Sequence, residues 1–135
     1  MKATICRKIH FNAAHRLYNK HWSDEKNEEV FGKCNNPNFH GHNYVVEAKV
    51  SGEIDPETGY VMDTKYLKHI LEKAVVEKFD HRNLNLDTKE FRELNPTAEN
   101  IARVIYDSIQ PLIEPDKLTI ILHETERNYV EYNGE

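Results

Sequence analysis

The tripeptide His40-Gly41-His42 places two metal-capable side chains one residue apart. In a β-strand, residues i and i+2 point to the same side, so both imidazoles would leave one face about a metal-site width apart. Gly41 between them removes a side chain and lets another group approach. His15 ends a segment, residues 2–15, in which Ile5, Ile9, Phe11 and Ala13 share one parity and Thr4, Lys8, His10 and Asn12 the other. An imidazole on the apolar parity must find a polar partner. Taken singly, each histidine reads better as a satisfied core or surface residue than as a ligand. Together, three imidazoles with an open fourth position match catalytic zinc; a structural site is closed and usually richer in cysteine.

Other residues could act on a molecule held there. Cys34 lies six residues before His40, in the loop Gly32-Lys33-Cys34-Asn35-Asn36-Pro37-Asn38-Phe39, whose Asn and Pro residues favour fixed turns. Near a dication a thiol has a lowered pKa and serves as base or nucleophile; alternatively it is a fourth ligand that closes the site. In Asp80-His81 the carboxylate can fix the tautomer of the ring and raise its basicity. Glu124 continues the inward parity of Leu118, Ile120 and Leu122. An inward carboxylate either pairs or recognises a ligand, and its two oxygens suit the N–H and NH₂ of a guanidine-like ring edge. The plain alternative is a strand-end Glu turned to solvent.

The elements that must position these groups follow from periodicity. Strands are predicted over 2–15, 42–54, 118–125 and 129–132, with a short one at 60–62, and residues 16–39 read as one long loop. A helix begins at Asp63 or Thr64, with Leu67, Ile70, Leu71, Ala74, Val75 and Phe79 at helical spacing. Residues 80–95 read as polar loop. Thr97 caps a second helix, with Glu99 in its first turn, and Pro111 and Pro115 end it. The order predicts an α+β fold: a four-stranded antiparallel sheet with two helices on one face. Its two open edges predict an oligomer. Cys6, mid-strand, reads as a small buried hydrophobe.

The 135 residues suit one domain, 1–135, with a core that needs no staples. A net charge of −5 without a basic run argues against nucleic acid. No apolar run reaches membrane-span length and no signal-peptide core opens the chain, so the expectation is a cytoplasmic protein.

In this order the motifs resemble the 6-pyruvoyl-tetrahydropterin synthase and 6-carboxy-tetrahydropterin synthase family. The matching segments are Phe11-Asn12-Ala13-Ala14-His15-Arg16-Leu17, Val30 to Asn38 running into His40-Gly41-His42-Asn43-Tyr44, and Gly52 to Pro56 with Gly59. Asp80-His81-Arg82-Asn83-Leu84, Pro96-Thr97-Ala98-Glu99-Asn100 and Glu124-Thr125 complete them. The resemblance implies the tunnelling fold (T-fold), in which three subunits close a twelve-stranded barrel and two trimers stack as a hexamer. It implies 7,8-dihydroneopterin triphosphate as substrate and Zn2+ on His15, His40 and His42. It makes Cys34 the base and Asp80 and His81 a proton relay from the same or a neighbouring subunit. Glu124 would anchor the pterin edge, with Thr97 and Glu99 near the pterin pocket. Arg16 and Lys33 are nominated for the triphosphate. Five residues between Cys34 and His40 match the pyruvoyl-forming branch, whereas the carboxy-forming branch of queuosine biosynthesis typically has three. Phe39, commonly Gly in that branch, and His123, commonly aromatic, depart from the pattern. The carboxy-forming activity and a non-catalytic zinc or pterin-binding protein of this fold are the competing expectations.

Overall fold

A computed structural model describes all 135 residues. Strand β1 (Lys2–His15) pairs antiparallel with β2 (His40–Glu53) over its full length, His15 opposite His40 and Ala13 opposite His42. Strand β4 (Lys117–His123) adds antiparallel to β2, and β5 (Tyr129–Tyr132) to β4. A fifth strand, β3 (Arg82–Asn83), lies parallel to β1 and meets only Ala13 and Ala14, giving the order β3-β1-β2-β4-β5. The four predicted main strands are therefore present with a two-residue addition. Most of β1 and all of β5 remain as sheet edges.

One face of the sheet is apolar because its inward positions are. Tyr44, Val46, Ala48 and Val50 of β2 alternate with half-exposed neighbours, and Leu118, Ile120 and Leu122 do the same in β4. Two helical stretches form the other side of the core. Helix α2 (Thr64–Leu71), capped by the Asp63 side chain accepting from the Lys65 amide, supplies Leu67, Ile70 and Leu71. It runs through wider π-type turns, Glu72–Val76, into α3 (Glu77–Phe79). Helix α5 (Ala98–Ile113) supplies Ile101, Ala102, Ile105, Ile109 and Ile113. Together these form one contiguous core.

Several expectations are corrected. The loop 16–39 contains α1 (Asp24–Phe31), capped by Ser23 with Asp24 and Glu25 in its first turn. The polar character of α1 hides it from a search for apolar stripes. Residues 60–62 form no strand, only a bend at Val61 and Met62, and 80–95 hold β3 and the short helix α4 (Leu84–Asp87). Pro111 lies inside α5, near its C-terminal end, instead of stopping it. Cys6 is exposed, since it has the parity of Thr4 and Lys8 and faces away from the helices.

Two non-glycine residues have left-handed backbones, Phe39 (φ 68°), just before β2, and His81 (φ 61°), just before β3. For a side-chain-bearing residue this region costs roughly 1–2 kcal/mol. Phe39→Gly and Phe39→Ala lose the same ring, but only glycine relieves the backbone. Phe39→Gly is therefore expected to be about 1 kcal/mol more stable than Phe39→Ala in urea unfolding. Equal stabilities would show that the backbone is unstrained.

Candidate active site

The β1–β2 register assembles the three predicted histidines. His15 and His40 are cross-strand partners, and His42 lies two residues further along the same face. Ring centroids are 4.5 Å apart for His15–His40, 5.1 Å for His15–His42 and 5.0 Å for His40–His42. Gly41 opposes Ala14, and an added Cβ there would meet the Ala13 carbonyl at 3.4 Å, an ordinary contact distance.

His15 is fully buried and its tautomer follows from its partner. Its Nδ1 lies 2.8 Å from the Pro96 carbonyl, which can only accept, so Nδ1 carries the hydrogen and donates. The Tyr44 hydroxyl, 3.2 Å from the same nitrogen, is a second and longer partner. Nε2 is thereby left with its lone pair toward the cluster, 2.8 Å from His40 Nε2. His42 Nε2 and His40 Nδ1 are buried without a hydrogen-bond partner. One ligand atom from each histidine can be chosen so that all three lie within 4.8 Å of one another. Two nitrogens bound to one tetrahedral zinc sit about 3.3 Å apart, given Zn–N near 2.0–2.1 Å. Convergent imidazoles with an unsatisfied buried nitrogen fit a metal ion.

The electrostatics agree. Burial, more than offsetting the Pro96 hydrogen bond and aided by His40 and His42, lowers the His15 pKa to about 4. Burial and then His42 lower that of His40, opposed by Glu124. Both rings are neutral at neutral pH, the form that binds metal. Tyr44 is pushed up by burial, then by Glu124 and Cys34, so its phenol stays protonated. The consequence for stability has a definite sign. The unfolded protein takes up a proton on the His15 ring near 6.5, the folded metal-free protein only near 4. Stability is complete above pH 6.5 and is lost as pH falls toward 4, by about 3 kcal/mol. The urea midpoint of zinc-free protein should fall over that window, and less in His15→Gln. A midpoint that rises on acidification contradicts the assignment.

The Pro96 carbonyl and Tyr44 hydroxyl are contributions that sequence reasoning misses: Pro96 acts through its backbone, and Tyr44 reads as core. Tyr44→Phe keeps the ring stacked on Phe11, at 4.8 Å, and deletes the hydroxyl. Outer partners of metal-binding histidines are typically worth 10–100-fold in affinity. Tyr44→Phe should therefore weaken zinc binding about 10-fold in a chelator competition; unchanged affinity would leave the hydroxyl with packing alone.

The remaining predicted residues fall in three places. Cys34 is half-buried in a turn, Gly32–Asn35, and with His40, His42, Glu28 and Lys33 lines a cleft of about 630 Å³. Glu124 follows β4, its Oε1 3.8 Å from His42 Nε2, and also faces a cleft of about 510 Å³ that Thr97, Glu99 and Arg127 line. Thr97 caps α5, accepting from the Asn100 amide at 3.2 Å. Asp80 and His81 form their own pair, Asp80 Oδ2 to His81 Nδ1 3.0 Å. The pair is tied to β1 through the Asn12 amide donating to Asp80 Oδ1 and the His81 amide donating to the Asn12 carbonyl. The Asn12 hydrogen bond, then His81, holds the Asp80 carboxyl below its usual range. His81 is 77% exposed at its side chain and lines a different cleft from Cys34. The structure thus joins the histidines, Cys34 and Glu124 around one centre. Asp80–His81 lies against β1 at Asn12, just before β3, in a cleft that His42 lines and Cys34 does not.

The chain is similar to known proteins over nearly its whole length. The family model described as 6-pyruvoyl tetrahydropterin synthase matches residues 4–135. A 6-pyruvoyl tetrahydrobiopterin synthase of Homo sapiens is 47% identical over 135 residues, covering 99% of this chain and 93% of the relative. Its counterpart from Drosophila melanogaster is 41% identical, over 98% of this chain and 80% of the relative. The solved 6-pyruvoyl tetrahydropterin synthase of Caenorhabditis elegans superposes with a TM-score of 0.93 at 37% identity, covering 100% of this chain and 97% of that one. On near-complete coverage at this level of identity, the chain belongs to the 6-pyruvoyl tetrahydropterin synthase family.

Proposed function

We propose that this protein is a zinc-dependent lyase, a 6-pyruvoyl-tetrahydropterin synthase that acts on 7,8-dihydroneopterin triphosphate and eliminates triphosphate. The observation that carries the reading is the convergence of His15, His40 and His42 beside the Cys34 cleft, with the Glu124 carboxylate 3.8 Å from His42 Nε2. Family membership supports the substrate.

His15, His40 and His42 would hold the zinc, which when bound supplies Lewis-acid polarisation of the hydroxyls on the substrate's side arm. Glu124 accepts hydrogen bonds from the ring N–H and exocyclic NH₂ of the pterin, which orients that arm toward the histidines. Thr97 and Glu99, on the wall of the same cleft, complete the pterin contact. The Cys34 thiolate takes a proton from carbon on the arm, and the bond to triphosphate breaks with its electron pair leaving on the triphosphate oxygen. The remaining redox change is internal to the substrate. Asp80 orients His81, and the pair relays a proton to the substrate. His81 is exposed, in a cleft that His42 lines and Cys34 does not, and the relay reaches the reacting carbon from a second copy of the protein. The uncovered edges of β1 and β5 support the assembly this requires, a homo-oligomeric T-fold barrel with two trimers in a hexamer. Within it each subunit supplies one domain, residues 1–135.

No helix is long and apolar enough to cross a membrane. A cytoplasmic location is part of the proposal and rests on the unpaired thiols of Cys6 and Cys34. The test is incubation of zinc-loaded protein with 7,8-dihydroneopterin triphosphate, with the pterin product identified by mass. A 6-pyruvoyl product with release of triphosphate is expected. A 6-carboxy product would move the protein to the other branch, and no consumption of substrate would refute the activity.

A further inference from the structure

The segment that holds Cys34 has few ties to the rest of the protein, and the strongest run to the two residues after His15. The Leu17 amide donates to the Cys34 carbonyl at 2.8 Å, and Arg16 Nε donates to the Asn35 carbonyl at 2.9 Å. Consecutive carbonyls of the thiol-bearing turn thus bind consecutive residues that continue directly from a metal-binding histidine. Arg16 is fixed in its turn. Its guanidinium lies over the Tyr18 ring at 4.5 Å. Its backbone is clamped in both directions by one amide group: the Arg16 N–H donates to Asn85 Oδ1 at 2.8 Å, and Asn85 Nδ2 donates to the Arg16 carbonyl at 2.9 Å.

We infer that Arg16 is a positioning residue for the Cys34 thiol, braced by Asn85, and is not a triphosphate contact. The inference rests on the reading of Cys34 as the proton-abstracting base. Its physical content is geometric. A planar guanidinium stacked on Tyr18 presents Nε at a fixed point, which a lysine ammonium at the end of a flexible stem does not reproduce. Losing that tie lets the turn drift. A displacement of about 1 Å in a reacting group can cost roughly 100-fold in rate.

The experiment uses zinc-loaded, full-length Arg16→Gln and Arg16→Lys, assayed with 7,8-dihydroneopterin triphosphate. Zinc content and thermal midpoint are measured beside kcat and KM. In a Cys6→Ser background, the pH profile of Cys34 alkylation by iodoacetamide is recorded, since Cys6 is also free and exposed. Both variants are expected to lose roughly 10–100-fold in kcat, with KM nearly unchanged, zinc retained and the alkylation profile moved. A raised KM with normal kcat, rescued by lysine, would return Arg16 to the triphosphate and overturn the inference. So would a lowered thermal midpoint with normal kcat per folded molecule, or loss of zinc. If neither Arg16 variant yields folded protein, Asn85→Ala decides: a kcat-only loss supports the inference and unchanged kcat overturns it. Cys34→Ala separates the two levels. Full turnover in that variant refutes the reading of Cys34, whereas lost turnover there with unaffected Arg16 variants refutes the inference alone.

Discussion

Cys34→Ala should lower turnover by about 10²–10⁴-fold while leaving one zinc per subunit. A positioned general base typically contributes a factor of this size. The three imidazoles form a mutually oriented set without sulfur: His15 is set by Pro96 and Tyr44, and His40 and His42 share a strand face. Removing the thiol therefore takes away a proton acceptor and leaves the ligands in place. Cys34→Ser, which keeps a hydroxyl of much higher pKa, should recover little of the loss. If zinc leaves with the sulfur, Cys34 is a ligand and the site is a closed structural one. Zinc content by elemental analysis and kcat, measured on the same preparation, separate these outcomes.

Removal of a histidine ligand has the second large effect. His42→Ala should abolish zinc binding at micromolar metal and bring turnover to background, with the fold retained. Its Nε2 makes no hydrogen bond, so the substitution orphans no buried protein donor or acceptor. His15→Ala should lose the metal too, but at a further cost. That ring is fully buried and its Nδ1–H satisfies the Pro96 carbonyl. Orphaning a buried carbonyl costs about 1–3 kcal/mol, before any penalty for the cavity. Metal-free His15→Ala is therefore expected to unfold at lower urea than metal-free His42→Ala. Circular dichroism against urea reads this directly, and equal midpoints would contradict the buried role of His15.

Much of this centre is visible in the sequence because strand parity is a strong signal. His15 shares the parity of Phe11 and Ala13, and His40 and His42 that of Tyr44 and Val46; each inward histidine is where alternation puts it. Glu124 keeps the parity of Leu118, Ile120 and Leu122 although it lies one residue beyond β4, which ends at His123 rather than at the expected residue 125. What parity does not carry is contact between segments far apart in sequence. The Pro96 carbonyl on His15 spans 81 residues and uses a backbone atom that exists at every position. Asn85 clamping Arg16 spans 69 residues and leaves no periodic trace. Helix α1 escapes detection because its exposed faces are polar, although Ser23 followed by Asp24 and Glu25 is a start signal. Residue type misplaces Cys6, against a parity that already puts it outward. Asp80–His81 is legible as a pair but not as a neighbour of Cys34. Its local geometry is complete, yet its cleft is not the one that Cys34 lines.

Everything proposed for the site depends on a three-histidine zinc with an open position and the Cys34 sulfur outside the coordination sphere. X-ray absorption at the zinc K-edge of the loaded protein tests this most directly. The expected spectrum contains three imidazole nitrogens at about 2.0–2.1 Å with one further light-atom ligand and no sulfur. A zinc–sulfur distance near 2.3 Å would place Cys34 on the metal and contradict the account.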